Sequence, residues 1–154
     1  MTRPMKGTRS ADRDASELRD SGKDRAELNM IIDLMRNDLG RVCRFGTVKV
    51  EEARAIELHG AQRAKSQRAK GPNEEGGVWQ GVGTVVGELR EGLDLVDLLA
   101  AAFPAGSVTG APKIRAMQII DELEASERGP YCGSIGWIGD DGRAILNVAI
   151  RTAY

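Results

Sequence analysis

The end of the chain carries the feature that most restricts how it can fold. In "CGSIGWIGDDGRAILNVAIRTAY" two runs of alternating apolar and polar residues are joined through Asp141-Gly142. Alternation at period two marks a strand covered on one face, and Asp-Gly between two such runs favours a tight reversal. The segment reads as an antiparallel hairpin. In its second arm Leu146, Val148 and Ile150 share a face, so Asn147 and Arg151 point the other way.

Helical signals occupy much of the remainder. "ASELRDSGKDRAELNMIIDLMRNDLG" repeats Leu28, Ile31, Ile32, Met35 and Leu39 at three-and-four spacing, with Gly40 as a stop and Gly22 dividing a short helix from a longer one. "LDLVDLLAAAF" reads as a helix ended by Pro104. In "SVTGAPKIRAMQIIDELE", Ser107 or Thr109 precedes Pro112 as the start signal, and Ile114, Met117, Ile120 and Leu123 run down one side. "GTVKVEE" alternates Val48 and Val50 as a strand. "VWQGVGTVVGEL" reads as a strand weakened by Gly81 and Gly83. Between these strands "HGAQRAKSQRAKGPNEEGG" repeats "QRAK" and ends in a glycine-proline turn, the pattern of an inserted flexible loop at about 61–76. The pattern is an α+β fold with antiparallel pairing.

Composition excludes several classes of function. A chain of 154 residues, 41% of them hydrophobic, can build one domain around an aliphatic core, since aromatic residues contribute only 4%. A net charge of −1 gives no bulk attraction to nucleic acid or to an anionic membrane, and the basic loop lacks interleaved aromatics for stacking on bases. No apolar run is long enough to span a bilayer. Cys43 and Cys132 are far apart without CxxC spacing, so they read as reduced thiols. The expectation is a soluble, cytoplasmic protein that binds neither nucleic acid nor membrane.

Three features could carry chemistry. Asp24 and Glu27 lie three apart on the long helix, where two carboxylates could hold a hard cation or be solvated surface acids. "GSVTGAPK" opens onto a helix N-terminus, which suits a carboxylate or phosphate but equally serves simple capping. Arg151 on a strand could grip a carboxylate with its planar fork, or be exposed. A fourth residue, Lys6 in "PMKGTR", sits in what reads as a turn between proline and a glycine-threonine pair.

Taken together, "KDRAELNMIIDLMRNDLGRV", "AAFPAGSVTGAPKIRAMQIIDELE", "RGPYCGSIGW" and "NVAIRT" occur in the order and wording of the chorismate-utilising enzymes. The chain resembles the catalytic half of aminodeoxychorismate synthase component I over nearly its whole length apart from the loop. The resemblance implies part of an α/β sandwich of antiparallel sheets with outer helices, in which residues 1–154 form a partial chorismate-binding catalytic domain. It implies amination of chorismate to 4-amino-4-deoxychorismate, for p-aminobenzoate and folate synthesis, with ammonia released from glutamine by a partner amidotransferase.

Site residues follow by the same carry-over. Lys6, where anthranilate synthases usually carry alanine, would be the nucleophile: its amine attacks C2 of chorismate, the C4 hydroxyl leaves with allylic shift, and ammonia then adds at C4 and releases the lysine. The attack needs a neutral amine, favoured by burial or a cationic neighbour. Gln80 stands where anthranilate synthases hold a histidine, and glutamine is no general base. Thr8, Gln80, Ser107, Thr109 and Gly110 would line the chorismate pocket, with Tyr131 and Arg151 on the substrate carboxylates. Asp24 and Glu27 would hold Mg2+ in a positioning role, although the first acid is more often glutamate.

Departures from the family pattern define the alternatives. Family members continue past "IRT" into further metal-ligating glutamates and extend well before the lysine, so the resemblance implies a segment with uncovered sheet edges and apolar faces. Gly83 stands where the family usually has serine, and the "QRAK" loop interrupts a normally short connection. Anthranilate synthase component I and a non-catalytic truncated remnant are the two other readings.

Overall fold

The computed structural model describes residues 1–60 and 77–153. The loop expected at about 61–76 lies outside the described residues. The chain divides into two compact units, Met1–Glu88 and Leu89–Tyr154.

The first unit is a three-stranded antiparallel sheet with helices against it. Its elements are β1 (Met5–Ser10), α1 (Ser16–Arg19), α2 (Gly22–Gly40), β2 (Lys49–His59) and β3 (Val78–Val86), with sheet order β1-β3-β2. The helix division at Gly22 falls as the sequence predicts, and Ser21 caps α2 by accepting the Asp24 amide at 3.2 Å. The expected stripe faces inward: Leu28, Ile32 and Leu39 are buried, with Ile31 and Met35 half-buried. Fully burying a leucine or isoleucine contributes about 1.5–3 kcal/mol, so this stripe fixes α2 to the sheet.

Three sequence readings are corrected here. "PMKGTR" is not a turn, because β1 pairs along β3 and absorbs a bulge between Lys6 and Thr8. Gly7 sits at that bulge with φ +83°, and a Cβ there would lie 2.6 Å from Leu18 Cδ1. The strand read in "GTVKVEE" starts only at Lys49 and runs on to His59, with two register shifts against β3. Finally, β3 is the central strand, where Gly83 permits close approach: a Cβ at Gly83 would stand 2.6 Å from Ile32 Cδ1 and 3.0 Å from Cγ1.

The second unit contains α3 (Leu95–Ala102), α4 (Gly106–Thr109), α5 (Lys113–Leu123), β4 (Ser134–Ile138) and β5 (Ala144–Val148). A reciprocal cap starts α3: the Asp94 carboxylate accepts the Val96 and Asp97 amides, and the Asp97 carboxylate accepts the Asp94 amide at 2.9 Å. Neither Ser107 nor Thr109 caps α5. Both belong to α4, where Thr109 Oγ1 donates to the Ala105 carbonyl at 3.1 Å, and Pro112 starts α5 without a side-chain cap.

The hairpin forms as the sequence predicts, with β4 and β5 antiparallel and Gly136 opposite Leu146. Its reversal is a five-residue connection closed by Gly139 N–H donating to the Arg143 carbonyl, with Gly142 at φ +77°. The second strand ends at Val148, so Arg151 does not sit on a strand's polar face; it lies beyond the strand at φ +51°. The uncovered apolar faces are present: α5 buries no residue, Leu123 is 78% exposed, and Trp137, Ile138 and Ile145 face solvent. No single described helix is long and apolar enough to cross a membrane.

The contact at Gly83 is testable. Gly83→Ser is expected to destabilise the fold by about 1–3 kcal/mol through overpacking against Ile32, and Ile32→Val, which removes Cδ1, to recover part of that loss. Urea unfolding of the two single variants and the double variant measures the coupling.

Candidate functional site

In the first unit the sheet register decides which predicted residues meet. Lys6 pairs with Gly81, and Arg9 with Trp79, so both side chains leave on the face that carries α2. Thr8 pairs with Gln80, one residue out of phase, and these two share the opposite face of the sheet. The bulge at Gly7 is what puts Lys6 and Arg9 on the same side despite their spacing of three.

Each cation then finds one of the two predicted acids. Lys6 Nζ lies 2.8 Å from Glu27 Oε2, and Arg9 Nη2 donates to Asp24 Oδ2 at 3.0 Å. Lys23, one turn before Glu27, approaches its other oxygen at 3.9 Å. The Ser21 hydroxyl is the largest influence holding the Asp24 carboxyl below its ordinary range; burial opposes it and the Arg9 charge adds to it.

This geometry bears on what Lys6 and the acids can do. Lys6 is 43% exposed, and the group it meets is the Glu27 carboxylate. Asp24 and Glu27 offer hard oxygens on one helix, a donor set of the kind magnesium takes when substrate completes the shell. Both are paired with basic side chains, and no group of three or more His, Cys, Asp or Glu positioned for a metal occurs among the described residues.

The second unit brings Tyr131 and Arg151 together. They line one cleft of about 340 Å³ with Pro130, Ala149, Thr152 and Ala153. Arg151 enters no ion pair among the described residues, which leaves its fork available to an anion. The Cys132 thiol raises the Tyr131 pKa by hydrogen bonding and charge, with burial adding to the effect. Thr109 and Gly110, half-buried, and Ser107, exposed, stand in α4 and its cap, outside the residues that line this cleft. Arg128 clamps Glu124 through two hydrogen bonds of 2.8 and 2.5 Å and donates to the Val108 carbonyl at 3.4 Å, tying the end of α5 to α4.

Sequence reasoning missed Arg9 and Ser21. For Ser21 a signal exists, because "SGKD" has the Ser-x-x-acid form of a helix start. For Arg9 none exists, since its partner is fixed by strand register and a bulge.

The chorismate binding enzyme family matches this chain over residues 1–154. The chain is 46% identical over 158 residues to anthranilate synthase component 1 of Haloarcula marismortui, covering 98% of this chain and 29% of that protein. It is 45% identical over 160 residues to aminodeoxychorismate synthase component 1 of Bacillus subtilis, covering 99% and 31%. Among solved structures, anthranilate synthase component I from Streptococcus pneumoniae TIGR4 superposes with a TM-score of 0.64 at 35% identity, over 94% of this chain and 30% of that one. The chain thus spans roughly a third of the length of the proteins it matches.

Ser21→Ala tests the coupling between cap and acid. It is expected to cost about 1 kcal/mol at neutral pH through the lost cap and to raise the Asp24 pKa toward its ordinary value. A depressed carboxylate contributes stability that is full above the unfolded-state pKa, roughly 4, and is lost as pH falls through the folded value. The stability gap between parent and variant should therefore narrow in acid, as read by urea unfolding across pH with a carboxyl NMR titration.

Proposed function

This chain belongs to the chorismate binding enzyme family, and from that premise we propose that it is a segment of an aminodeoxychorismate synthase component I. The reaction is amination of chorismate with ammonia, which a glutamine amidotransferase supplies. The observation that carries this reading is Lys6 on β1, with its Nζ 2.8 Å from Glu27 and on the same face of the sheet as Arg9 and Asp24. A residue with the chemistry of a covalent nucleophile thus stands next to the acid pair of α2.

In the proposed sequence Lys6 gives a proton to Glu27, and the freed amine forms a bond to C2 of chorismate. Both ring double bonds shift, and the C4–O bond breaks, with the oxygen leaving as water on taking the proton from Glu27. Ammonia then forms the C4–N bond, both double bonds shift back, and the C2–N bond to Lys6 breaks to release the lysine as the amine. Arg151 and Tyr131, on their shared cleft, would hold a substrate carboxylate, the arginine through two parallel N–H donors. Asp24 and Glu27 would hold magnesium, whose charge would gather a substrate carboxylate.

A second reading is anthranilate synthase, favoured by the near-equal identity to relatives bearing each name. Lys6 and Gln80 count against it, because forming the aromatic ring requires removal of a ring proton and glutamine cannot serve as the base. The products separate the two: anthranilate is fluorescent, whereas aminodeoxychorismate becomes p-aminobenzoate only after a lyase acts.

In a chain extended to the length of its relatives, Lys6→Ala is expected to lower ammonia-dependent consumption of chorismate by roughly 10³-fold or more. Loss of the half-exposed ion pair should cost no more than about 1 kcal/mol of stability, so the variant remains folded. Turnover equal to the parent, with fold verified by circular dichroism, would remove Lys6 as the nucleophile.

A further inference from the structure

At the α1–α2 junction the first unit has a cleft of about 380 Å³, lined by Arg19, Arg25, Arg54 and Ile56. Arg54 rises from β2 and caps the junction between α1 and α2. Its Nη2 donates to the Leu18 carbonyl, and its Nη1 donates to the Arg19 and Ser21 carbonyls at 3.3 and 3.4 Å. Arg25, from the first turn of α2, donates through Nη2 to the same Arg19 carbonyl at 3.3 Å. Two 3.3 Å bonds to one oxygen limit the separation of the two guanidinium nitrogens to at most twice that distance. Two positive heads therefore converge on one neutral acceptor, and Arg19 itself lines the same cleft.

Among the described residues, no carboxylate is ion-paired to these heads where they meet. None of the ion pairs among the described residues includes Arg19, Arg25 or Arg54. Asp24 feels the charge of Arg54, but its carboxylate is engaged by Arg9. Glu52 reaches only the backbone amide of Arg54, at 3.1 Å. The Arg54 Nε is buried without a partner. Like charges gathered in a concave wall raise the local potential and favour an anion. Ile56 adds an apolar wall, and the volume lies toward the lower end of the range for small-molecule sites.

We propose that the cleft formed by Arg19, Arg25, Arg54 and Ile56 is a binding site for a small organic anion with two negative charges, either a dicarboxylate or a phosphate monoester. Planar guanidinium forks accept both groups bidentately, and Ile56 would pack against the ligand's apolar body. The site joins the α1–α2 junction to β2, so an occupant would tighten the start of α2, the turn that carries Asp24.

The test is an amide and arginine side-chain NMR titration of this chain with isophthalate and with phenyl phosphate, each against sodium chloride at matched ionic strength. Saturable shifts confined to the residues around Leu18–Arg25 and Arg54–Ile56, absent with chloride, are expected. Saturation by isophthalate alone identifies a dicarboxylate ligand, and by phenyl phosphate alone a phosphate monoester; both results support the site. Arg25→Gln, at an exposed position, should weaken the binding about tenfold, as for one lost charge-assisted contact. Arg36→Gln, whose guanidinium pairs with Asp33 lower on α2, should leave it unchanged. Shifts that match those of chloride, or equal affinity in the parent and Arg25→Gln, overturn the proposal. Arg19→Gln repeats the comparison if Arg25→Gln loses its dispersed spectrum.

Discussion

The first unit depends on how closely α2 can lie on the three-stranded sheet. Helix and sheet normally keep apart by the size of the side chains between them. Here Ile32 sits over Gly83, and Leu28 lies near Gly81, where a Cβ would come within 3.9 Å of its Cδ2. The helix is thereby drawn onto the central strand rather than an edge. That close approach has an electrostatic consequence. Short distances between α2 and β1 are what allow Lys6 and Arg9 to reach Glu27 and Asp24, and the bulge at Gly7 supplies the phase that aims both cations at the helix. Apolar packing sets the spacing, backbone conformation sets the phase, and the ion pairs follow from both. The exposed pair contributes little to stability, and its importance lies in orientation.

The second unit is held differently. Its order comes from local devices: the reciprocal cap on α3, the Arg128 clamp on Glu124, and the closed reversal between β4 and β5. It buries few large side chains, and apolar residues of α5 and of the hairpin remain open to solvent. An isolated two-stranded hairpin is marginally stable in water. The proteins it matches are roughly three times longer. In an α/β sandwich, faces of this kind are the ones that neighbouring layers cover.

What was legible in the sequence is what local pattern determines. The α2 stripe, its interruption at Gly22 and the Asp-Gly hairpin were readable because periodicity and turn chemistry act over a few residues. The family was readable because four long motifs occur in order. Strand β1 was not, since "PMKGTR" contains a proline, a glycine and no alternation, and only pairing to β3 makes it extended. The same blindness covers the pairing of Lys6 with Glu27. Both residues were singled out for separate roles, yet nothing in a one-dimensional pattern puts one beside the other. Reading Gly81 and Gly83 as weakening β3 weighed strand propensity alone, whereas the helix above turns their missing side chains into a packing requirement.

The contact between Lys6 and Glu27 constrains any chemistry assigned to either. A carboxylate at 2.8 Å from an ammonium uses the nitrogen's proton and the oxygen's lone pair in one bond, so the amine cannot attack and the acid cannot ligate while the pair persists. Lys23, already 3.9 Å from the other oxygen of Glu27, could hold that acid alone if Lys6 swung away. Asp24 is held by Arg9 with the charge of Arg54 also acting on it, and the Ser21 cap fixes the start of its helix. Lys6 and Glu27 are therefore the exchangeable half of the ladder, while Arg9 and Asp24 are its anchored half. An anion seated on the arginines at the α1–α2 junction would stiffen the anchored half without touching the exchangeable one. If Lys6 acts as the proposed nucleophile, the freedom that role requires would come from the rigidity of the turn behind it.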